Sequence, residues 1–309
     1  MFDSKFITTA INRSTQNRVD RRLFMRAVGL TGLGAGAAAI GGSSTAFADE
    51  SAGQISDFAI LNFALNLEYL EAEFYARAVT GRGLPDAITG GLGDRGRVVG
   101  GSRVNFQTTA IRNYAIEIAA DEIDHVNFLR KTLGSQKVAE PAIDLRDSFT
   151  AVATAAGLIQ PGETFDPFAN EQNFLLGAFI FEDVGVTGYK GAAPLITNKT
   201  YLEAAAGLLA VEAYHAANIR TSLNALGLQV PTVQISDARD SLDGPSDLDQ
   251  GLLKSGFTNI VPTDGNGLAF SRTTGQVLNI VYITPEQATS GGFFPDGVNG
   301  PINQSDDNS

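Results

Sequence analysis

The sequence contains no cysteine and no tryptophan, and it has only two histidines in 309 residues. Without cysteine, disulfides, iron–sulfur clusters, thiolate zinc sites and cysteine nucleophiles are all excluded. Any metal site must therefore be built from oxygen ligands and imidazole, a set that suits iron, manganese or zinc.

Both histidines occur in the same local pattern, because Glu122 precedes His125 by three residues and Glu212 precedes His215 by three. Positions i and i+3 lie on one face of a helix, about one turn apart. Apolar residues continue each face at three- and four-residue steps: Ile111, Ala115, Ile118, Leu129 and Leu133 in the first, and Leu202, Ala205, Leu209, Ile219 and Leu223 in the second. A carboxylate buried on such a face is costly unless a cation compensates it, so each pair predicts a metal-binding helix.

Two further helices each carry a glutamate followed seven residues later by a tyrosine: Glu68 with Tyr75, and Glu182 with Tyr189. The chain thus repeats one order, Glu and then Glu-x-x-His, in its two halves. The predicted helices cover residues 54–80, 103 or 106–133, 171–190 and 200–227. We predict an all-α four-helix bundle with pseudo-twofold symmetry and a di-iron or di-manganese carboxylate site at its centre.

Several acidic residues near these motifs leave alternatives open. Glu71 and Glu73 are interpreted as solvated, although Glu71 could replace Glu68 as a ligand. Asp121 and Asp124, like Glu117, are interpreted as surface residues, although either aspartate could orient a histidine.

The tyrosines and two arginines also admit ordinary structural roles. Tyr75 and Tyr189 suit core positions with a local hydroxyl partner better than redox roles, and the alternative stays open. Arg130 and Arg220, each five residues after a histidine, are interpreted as surface charges near helix C-termini, where the helix dipole favours cations.

The remaining segments are interpreted as additions to the bundle. Residues 81–104 are predicted to form a long exposed loop, and residues 145–156 a short helix. Thr200 to Glu203 fits a capping box that opens the fourth helix. Residues 230–309 are predicted to wrap over the bundle as an extension, with weak helices at 236–242 and 271–282 and a disordered end at 304–309.

The first 48 residues are predicted to be an export signal outside the fold. Arg21, Arg22, Phe24 and Arg26 resemble the twin-arginine signal, and Ala46-Phe47-Ala48 suits a signal peptidase. The apolar run between them has about 14 residues, short of the roughly 20 needed to span a membrane. We expect cleavage after Ala48, no stable membrane anchor, and a periplasmic or secreted protein delivered by the twin-arginine machinery. Loss of six basic and two acidic residues changes the net charge from −12 to −16, which disfavours nucleic acid as a partner.

These motifs resemble the ferritin-like superfamily, and more closely its exported members that are similar to plant desiccation-related proteins. The stretch from Leu61 to Tyr75, the two Glu-x-x-His helices and Gly291-Gly292-Phe293-Phe294-Pro295 carry the resemblance. The resemblance implies two metal ions, with Glu68 and Glu182 each on one ion and Glu122 and Glu212 bridging both. It also implies that His125 and His215 each complete one ion and that Tyr75 and Tyr189 lie beside the metals. The 81–104 loop and the extension depart from ferritins that form storage shells.

The predicted organisation is a di-metal bundle formed by residues 49–229 with an extension formed by residues 230–309. Two functions are compatible with it. The first is redox chemistry with dioxygen or peroxide at iron or manganese, as a ferroxidase or a catalase-like enzyme. The alternative is a non-catalytic protein that protects against drying or envelope stress. Whether the protein is an enzyme, which metal it binds and how it oligomerises stay open at this point.

Overall fold

A computed structural model describes residues 55–309, so the predicted export signal lies outside the described residues. The helices are α1 (Asp57–Thr80), α2 (Thr109–Leu133), α3 (Asp147–Ala155), α4 (Glu171–Ala192), α5 (Lys199–Ala225), α6 (Gln229–Asp240) and α7 (Thr274–Tyr282). The short strands are β1 (Val98–Gly100), β2 (Ile143–Leu145), β3 (Leu253–Lys254) and β4 (Phe257–Thr258), and single 3-10 turns occupy Asp86–Ile88, Gly134–Gln136 and Ala193–Leu195. Among residues 55–309, no helix combines the length and apolar character needed to cross a membrane.

Helices α1, α2, α4 and α5 form the predicted four-helix bundle. α1 packs along α2 and α4 packs along α5, while contacts of α1 with α4 and of α2 with α5 close the bundle. The long helices lie within a few residues of their predicted bounds. A fold prediction based on apolar periodicity is therefore confirmed.

Local polar groups fix the ends of these helices. The side chain of Ser56 accepts the amide N–H of Ala59 at the start of α1, and Gly81 ends that helix with φ of 77°. The predicted capping box at Thr200 is wrong: Asn198 caps α5 by accepting the amide N–H groups of Thr200 and Tyr201. Asparagine satisfies the free N–H groups of a first turn as well as threonine does.

The loop at 81–104 is mostly exposed or half-buried, as predicted, but it also contains a short strand and a buried residue. Its β1 pairs in parallel with β2, and Thr89 inside it is fully buried. The guanidinium of Arg130 donates hydrogen bonds to the carbonyl of Gly90 and to the hydroxyl of Tyr69. Arg130, predicted at the surface, is buried because this loop covers the end of α2.

Residues after α5 cover the outer side of α4, which α6 and α7 contact. Phe293 is fully buried and meets the rings of Phe149 and Phe181 edge-on. The preceding Gly292 has φ of 46°, and its position leaves no room for a side chain beside the carbonyl of Val281. Only glycine adopts this conformation there without strain, which explains the glycine before the phenylalanine pair.

Buried ion pairs fasten this covering segment to α4. Arg220 donates to Asp183 at 2.7 Å, and Arg239 reaches Asp183 at 3.3 Å and Asp249 at 2.6 Å. Arg272 adds pairs to Asp249 at 3.1 Å and to a further aspartate, Asp243, at 2.5 Å. The prediction that Arg220 is a surface charge is therefore wrong, because the segment after α5 encloses it.

The C-terminal residues 304–309 are also ordered, contrary to the prediction. Ser305 is buried, and its hydroxyl donates to the carbonyl of Glu286. Asn279 of α7 donates to the carbonyl of Asp306 and accepts from Asn308. These polar contacts offset the conformational entropy that such a polar end would otherwise keep.

Candidate metal centre

Seven buried side chains meet in the middle of the bundle. α1 supplies Glu68 and Glu71, α2 supplies Glu122 and His125, α4 supplies Glu182, and α5 supplies Glu212 and His215; each is at most 7% exposed. Their ligand atoms form three overlapping groups, in each of which all atoms lie within 4.8 Å of one another. The structure thus brings all six predicted ligand residues together, and their binding of metal stays a prediction.

Each histidine marks one side of the cluster. Nδ1 of His125 lies 3.2 Å from Oε2 of Glu68, 3.4 Å from Oε2 of Glu122 and 3.5 Å from Oε1 of Glu212. Nδ1 of His215 lies 3.0 Å from Oε1 of Glu122 and 3.7 Å from Oε2 of Glu182. The two imidazole centroids are 6.2 Å apart. Glu122 therefore faces both histidines, one oxygen to each, as a bridging carboxylate would.

The two tyrosines connect opposite halves of the repeat. The hydroxyl of Tyr75 on α1 donates to Oε1 of Glu182 on α4, and the hydroxyl of Tyr189 on α4 donates to Oε1 of Glu68 on α1. Each hydrogen bond uses one carboxylate oxygen and leaves the other free to face a histidine. The tyrosines thus fix the orientation of the two glutamates, a positioning role that follows from the seven-residue spacing on both helices.

Asp121 introduces an asymmetry. Its Oδ2 lies 3.2 Å from Nε2 of His215, so the carboxylate orients the imidazole with Nδ1 towards the cluster. The equivalent position in the other half of the repeat is Val211, which cannot do the same for His125. Of the two aspartates that could orient a histidine, Asp121 does so in the structure, whereas Asp124 is exposed. Glu117 is exposed as well, as predicted.

Burial and mutual repulsion perturb the carboxyl groups strongly. Burial, followed by the charge of Glu122, raises the pKa of Glu68 to about 8. Burial likewise raises the pKa values of Glu182 and Glu212. Burial would also raise the pKa of Glu122, but the two imidazoles outweigh it and lower the value to about 2. The cluster without a metal therefore keeps some of its carboxyls protonated.

The histidines respond in the opposite direction. Burial alone would lower the pKa of His215, but the charges of Glu182 and Glu122 raise it to about 10. Burial is likewise outweighed at His125, whose pKa is raised by the charge of Glu68 and by the other facing carboxylates. Protons on the imidazoles thus occupy the place that a cation would take beside the carboxylates.

Unpartnered atoms test whether a metal fits this set. Within residues 55–309, six carboxylate oxygens of the cluster make no hydrogen bond of good geometry, although imidazole nitrogens lie 3.0 to 3.7 Å from some of them. They are both oxygens of Glu122, both of Glu212, Oε2 of Glu182 and Oε2 of Glu71. Buried polar atoms in proteins are rarely left unpaired. Oxygen atoms with imidazole nitrogens at their side are a donor set for iron or manganese, so these residues fit a metal centre.

The interpretation of Glu71 and Glu73 as solvated is wrong. Glu71 belongs to the cluster, and Glu73 is buried on another side of α1, where it pairs with Arg77 at 2.5 Å. α1 is covered on nearly all sides, so an apolar stripe on one face could not show which of its glutamates point inward. The three-residue step from Glu68 to Glu71 was the available signal, because it places both on neighbouring turns of one face.

The fold and the buried Glu/His cluster define a member of the ferritin-like class, and comparison with known proteins agrees. The chain belongs to the ferritin-like domain family, whose model matches residues 56–225. The chain is 32% identical over 270 residues to desiccation-related protein PCC13-62 of Craterostigma plantagineum, which covers 79% of this chain and 83% of that protein. It is 27% identical over 266 residues to ferritin-like catalase Nec2 of Nesocodon mauritianus, with 80% and 85% covered.

Proposed function

We propose that this protein holds two metal ions, iron or manganese, in the Glu/His cluster and disproportionates hydrogen peroxide to dioxygen and water. The observation that carries this proposal is the set of unpartnered carboxylate oxygens that face two buried imidazoles. The similarity to a protein named a ferritin-like catalase supports peroxide as the substrate. Two bound ions would supply the exchange of electrons between two peroxide molecules.

The protein's own groups would hold and orient the ions. Glu68 and His125 would bind on one side, Glu182 and His215 on the other, and Glu122 and Glu212 would span both. The hydroxyls of Tyr75 and Tyr189 each donate a hydrogen bond to one oxygen of Glu182 and Glu68, respectively. These hydrogen bonds fix the orientation of the second oxygen of each glutamate, which would bind the ion. Such preorganisation reduces the cost of reaching a productive geometry.

A small apolar cavity lies inside the bundle, and Tyr189 belongs to its lining. Its volume is about 30 Å³, and all four bundle helices line it with residues that include Leu67, Phe128, Tyr189 and Leu208. This space suits one molecule of about the size of water or peroxide. The hydroxyl of Tyr189, whose side chain lines this cavity, donates a hydrogen bond to Glu68, one of the predicted ligands. Phe128 is partly exposed and lies at the surface of the same lining.

The test measures metal content and dioxygen release in the same preparation. We expect the metal-loaded protein to bind about two ions per chain and to release dioxygen from peroxide. Replacement of the spanning residue, Glu122→Ala, should abolish release and weaken metal binding, because this side chain faces both halves of the cluster. Glu117→Ala, an exposed change on the same helix, should leave both unchanged.

The same preparation separates the other candidate functions. A fully loaded protein that releases no dioxygen would refute the catalase proposal. If it then oxidises ferrous ion, ferroxidase activity replaces peroxide disproportionation. If it does neither, the non-catalytic protective role gains support; the similarity to a desiccation-related protein favours that role as second candidate. A shell-sized particle that takes up hundreds of iron atoms would point instead to storage.

We also propose that the protein acts outside the cytoplasm after export by the twin-arginine machinery. Support comes from Arg21, Arg22 and the Ala46-Phe47-Ala48 segment alone. This route carries folded passengers, so a metal can be bound before export.

A further inference from the structure

The two halves of the bundle differ at one position beside the metal cluster. Glu68 and Tyr75 of α1 correspond to Glu182 and Tyr189 of α4 by the internal repeat. Three residues after Glu68, α1 has Glu71, and three residues after Glu182, α4 has Gly185. The position that has a carboxylate on α1 therefore has no side chain on α4.

Gly185 leaves the space in which two carboxylates meet. A Cβ atom at this position would lie 2.7 Å from Oε2 of Glu212 and 3.5 Å from Oε1 of Glu71. The first distance is shorter than any ordinary contact, so an alanine would push the Glu212 carboxylate aside. The glycine and the extra glutamate are thus complementary parts of one arrangement.

Glu71 is buried without a compensating partner. It is 7% exposed, and its Oε2 has no hydrogen-bond partner in the described part of the chain. An ionised carboxylate in such surroundings needs a cation beside it.

The position of Glu71 indicates which side of the cluster that cation would occupy. Its carboxylate, together with those of Glu182 and Glu212, forms a group in which the ligand atoms lie within 4.8 Å of one another. Glu182 also belongs to the group of His215 and Glu122, whereas Glu212 also belongs to the group of His125, Glu68 and Glu122. Because Glu212 spans both sides in the proposed arrangement, Glu182 is the residue that indicates the side. Glu71 therefore extends the side of the cluster that contains His215.

We propose that Glu71 is a seventh metal ligand, which acts with Glu182 and Glu212 on the His215 side and makes the two metal positions unequal. This inference rests on the proposed function, because it requires that the cluster holds metal ions. The His215 position then has one more carboxylate than the His125 position. A hard divalent cation should fill it first and bind it more tightly.

The test titrates the metal-free full-length mature protein with Co²⁺, followed by calorimetry and by visible absorption. We expect the wild type to bind about two ions in two separable steps. Glu71→Gln should weaken the tighter step by about tenfold or more and leave the other step nearly unchanged. The absorption of the affected ion should become more intense, because Co²⁺ with fewer ligands absorbs more strongly.

Two further variants separate ligation from general charge. Glu71→Asp keeps the charge but shortens the side chain by one methylene, and we expect it to weaken the same step. Gly185→Ala should weaken Co²⁺ binding because it displaces the Glu212 carboxylate, while circular dichroism shows the helix content unchanged. The exposed control Glu117→Gln should bind as the wild type does.

The possible outcomes distinguish this inference from the proposed function. If Glu71→Gln binds Co²⁺ as the wild type does, Glu71 is not a metal ligand, whereas the proposal that the cluster binds metal is unaffected. Weak binding in Glu71→Gln with normal binding in Glu71→Asp would also overturn it, since charge alone would then explain the effect. A wild type that binds no Co²⁺, Mn²⁺ or Fe²⁺ would refute the metal centre itself, and the inference with it.

Discussion

Raising the pH should destabilise the metal-free protein more than the metal-loaded one. Burial and then the charge of Glu122 raise the folded-state pKa of Glu68 from 4.5 to about 8. Between these values the folded state keeps a proton that the unfolded state has lost. The free energy of unfolding therefore falls as the pH rises from about 4.5 to about 8, and it levels off above that.

The size of this effect follows from the proton count. One retained proton changes the free energy of unfolding by about 1.4 kcal/mol per pH unit. Glu68 is half deprotonated at about pH 8, so it alone accounts for about 2 kcal/mol between about pH 6 and pH 8. In a domain of this size that corresponds to roughly 4 to 8 °C in Tm. His215 acts in the same direction: its pKa is raised from 6.5 to about 10, so its stabilising contribution is lost across that interval.

The assay compares urea or thermal unfolding at about pH 6 and pH 8, with and without bound metal. Metal ligation keeps the carboxylates ionised in the folded state, so the contribution of the cluster to the pH slope should vanish. Glu140, with a pKa raised to about 8, and Asp240, with one raised to about 7, titrate in both forms and cancel in the comparison. In the metal-free protein, Glu68→Gln should reduce the slope of the free energy of unfolding against pH by the amount that corresponds to about one proton.

Equal slopes in the metal-free and metal-loaded proteins, with metal content verified, would refute this reasoning. They would mean that Glu68 is ionised in the folded state at neutral pH without a cation. The same conclusion would follow if the free energy of unfolding of metal-free Glu68→Gln depended on pH as steeply as that of the wild type.

Three other predictions concern the residues around the cluster and the leader. Tyr75→Phe should keep the fold but weaken metal binding by about tenfold in a Mn²⁺ titration, because Glu182 loses the hydroxyl that orients it; unchanged affinity would exclude that role. Arg272→Met should lower the free energy of unfolding by about 3–5 kcal/mol in urea, because it leaves buried Asp243 unpaired; a loss below about 1 kcal/mol would contradict the buried pair. Changing Arg21 and Arg22 to Lys should retain the precursor in the cytoplasm, and normal export in fractionated cells would exclude the twin-arginine route.

The sequence was sufficient to predict the bundle and the meeting of six side chains, because both depend on helical periodicity. Residues three, four and seven apart share a helix face, so Glu122 and His125 could be placed together without a structure. Repetition of the pattern in the second half then related the four helices to one another. These arguments are local, and they succeed wherever a helix has one buried face.

The same arguments failed where a helix is covered on several sides. Arg130 and Arg220 have the spacing of surface charges at helix ends, yet the 81–104 loop buries the first and the segment after α5 buries the second. Glu71 was interpreted as solvated for the same reason, since α1 is enclosed almost completely. Which segment covers which face depends on contacts between residues far apart in the chain, and periodicity contains no information about them.

The ion pairs on Asp183 have a consequence for the order in which the molecule can form. Asp183 directly follows Glu182 on α4, and its two partners, Arg220 on α5 and Arg239 on α6, lie 37 and 56 residues further along the chain. During synthesis, α4 leaves the ribosome well before the guanidinium groups that neutralise its buried aspartate. Nascent chains that end before α6 contain Arg220 but lack Arg239, so we expect Asp183 to be only partly neutralised, Glu182 to be positioned less firmly and metal binding to be weaker. The centre would then reach its full metal affinity only after α6 has folded, so tight metal loading would itself report that the chain has been made beyond α6.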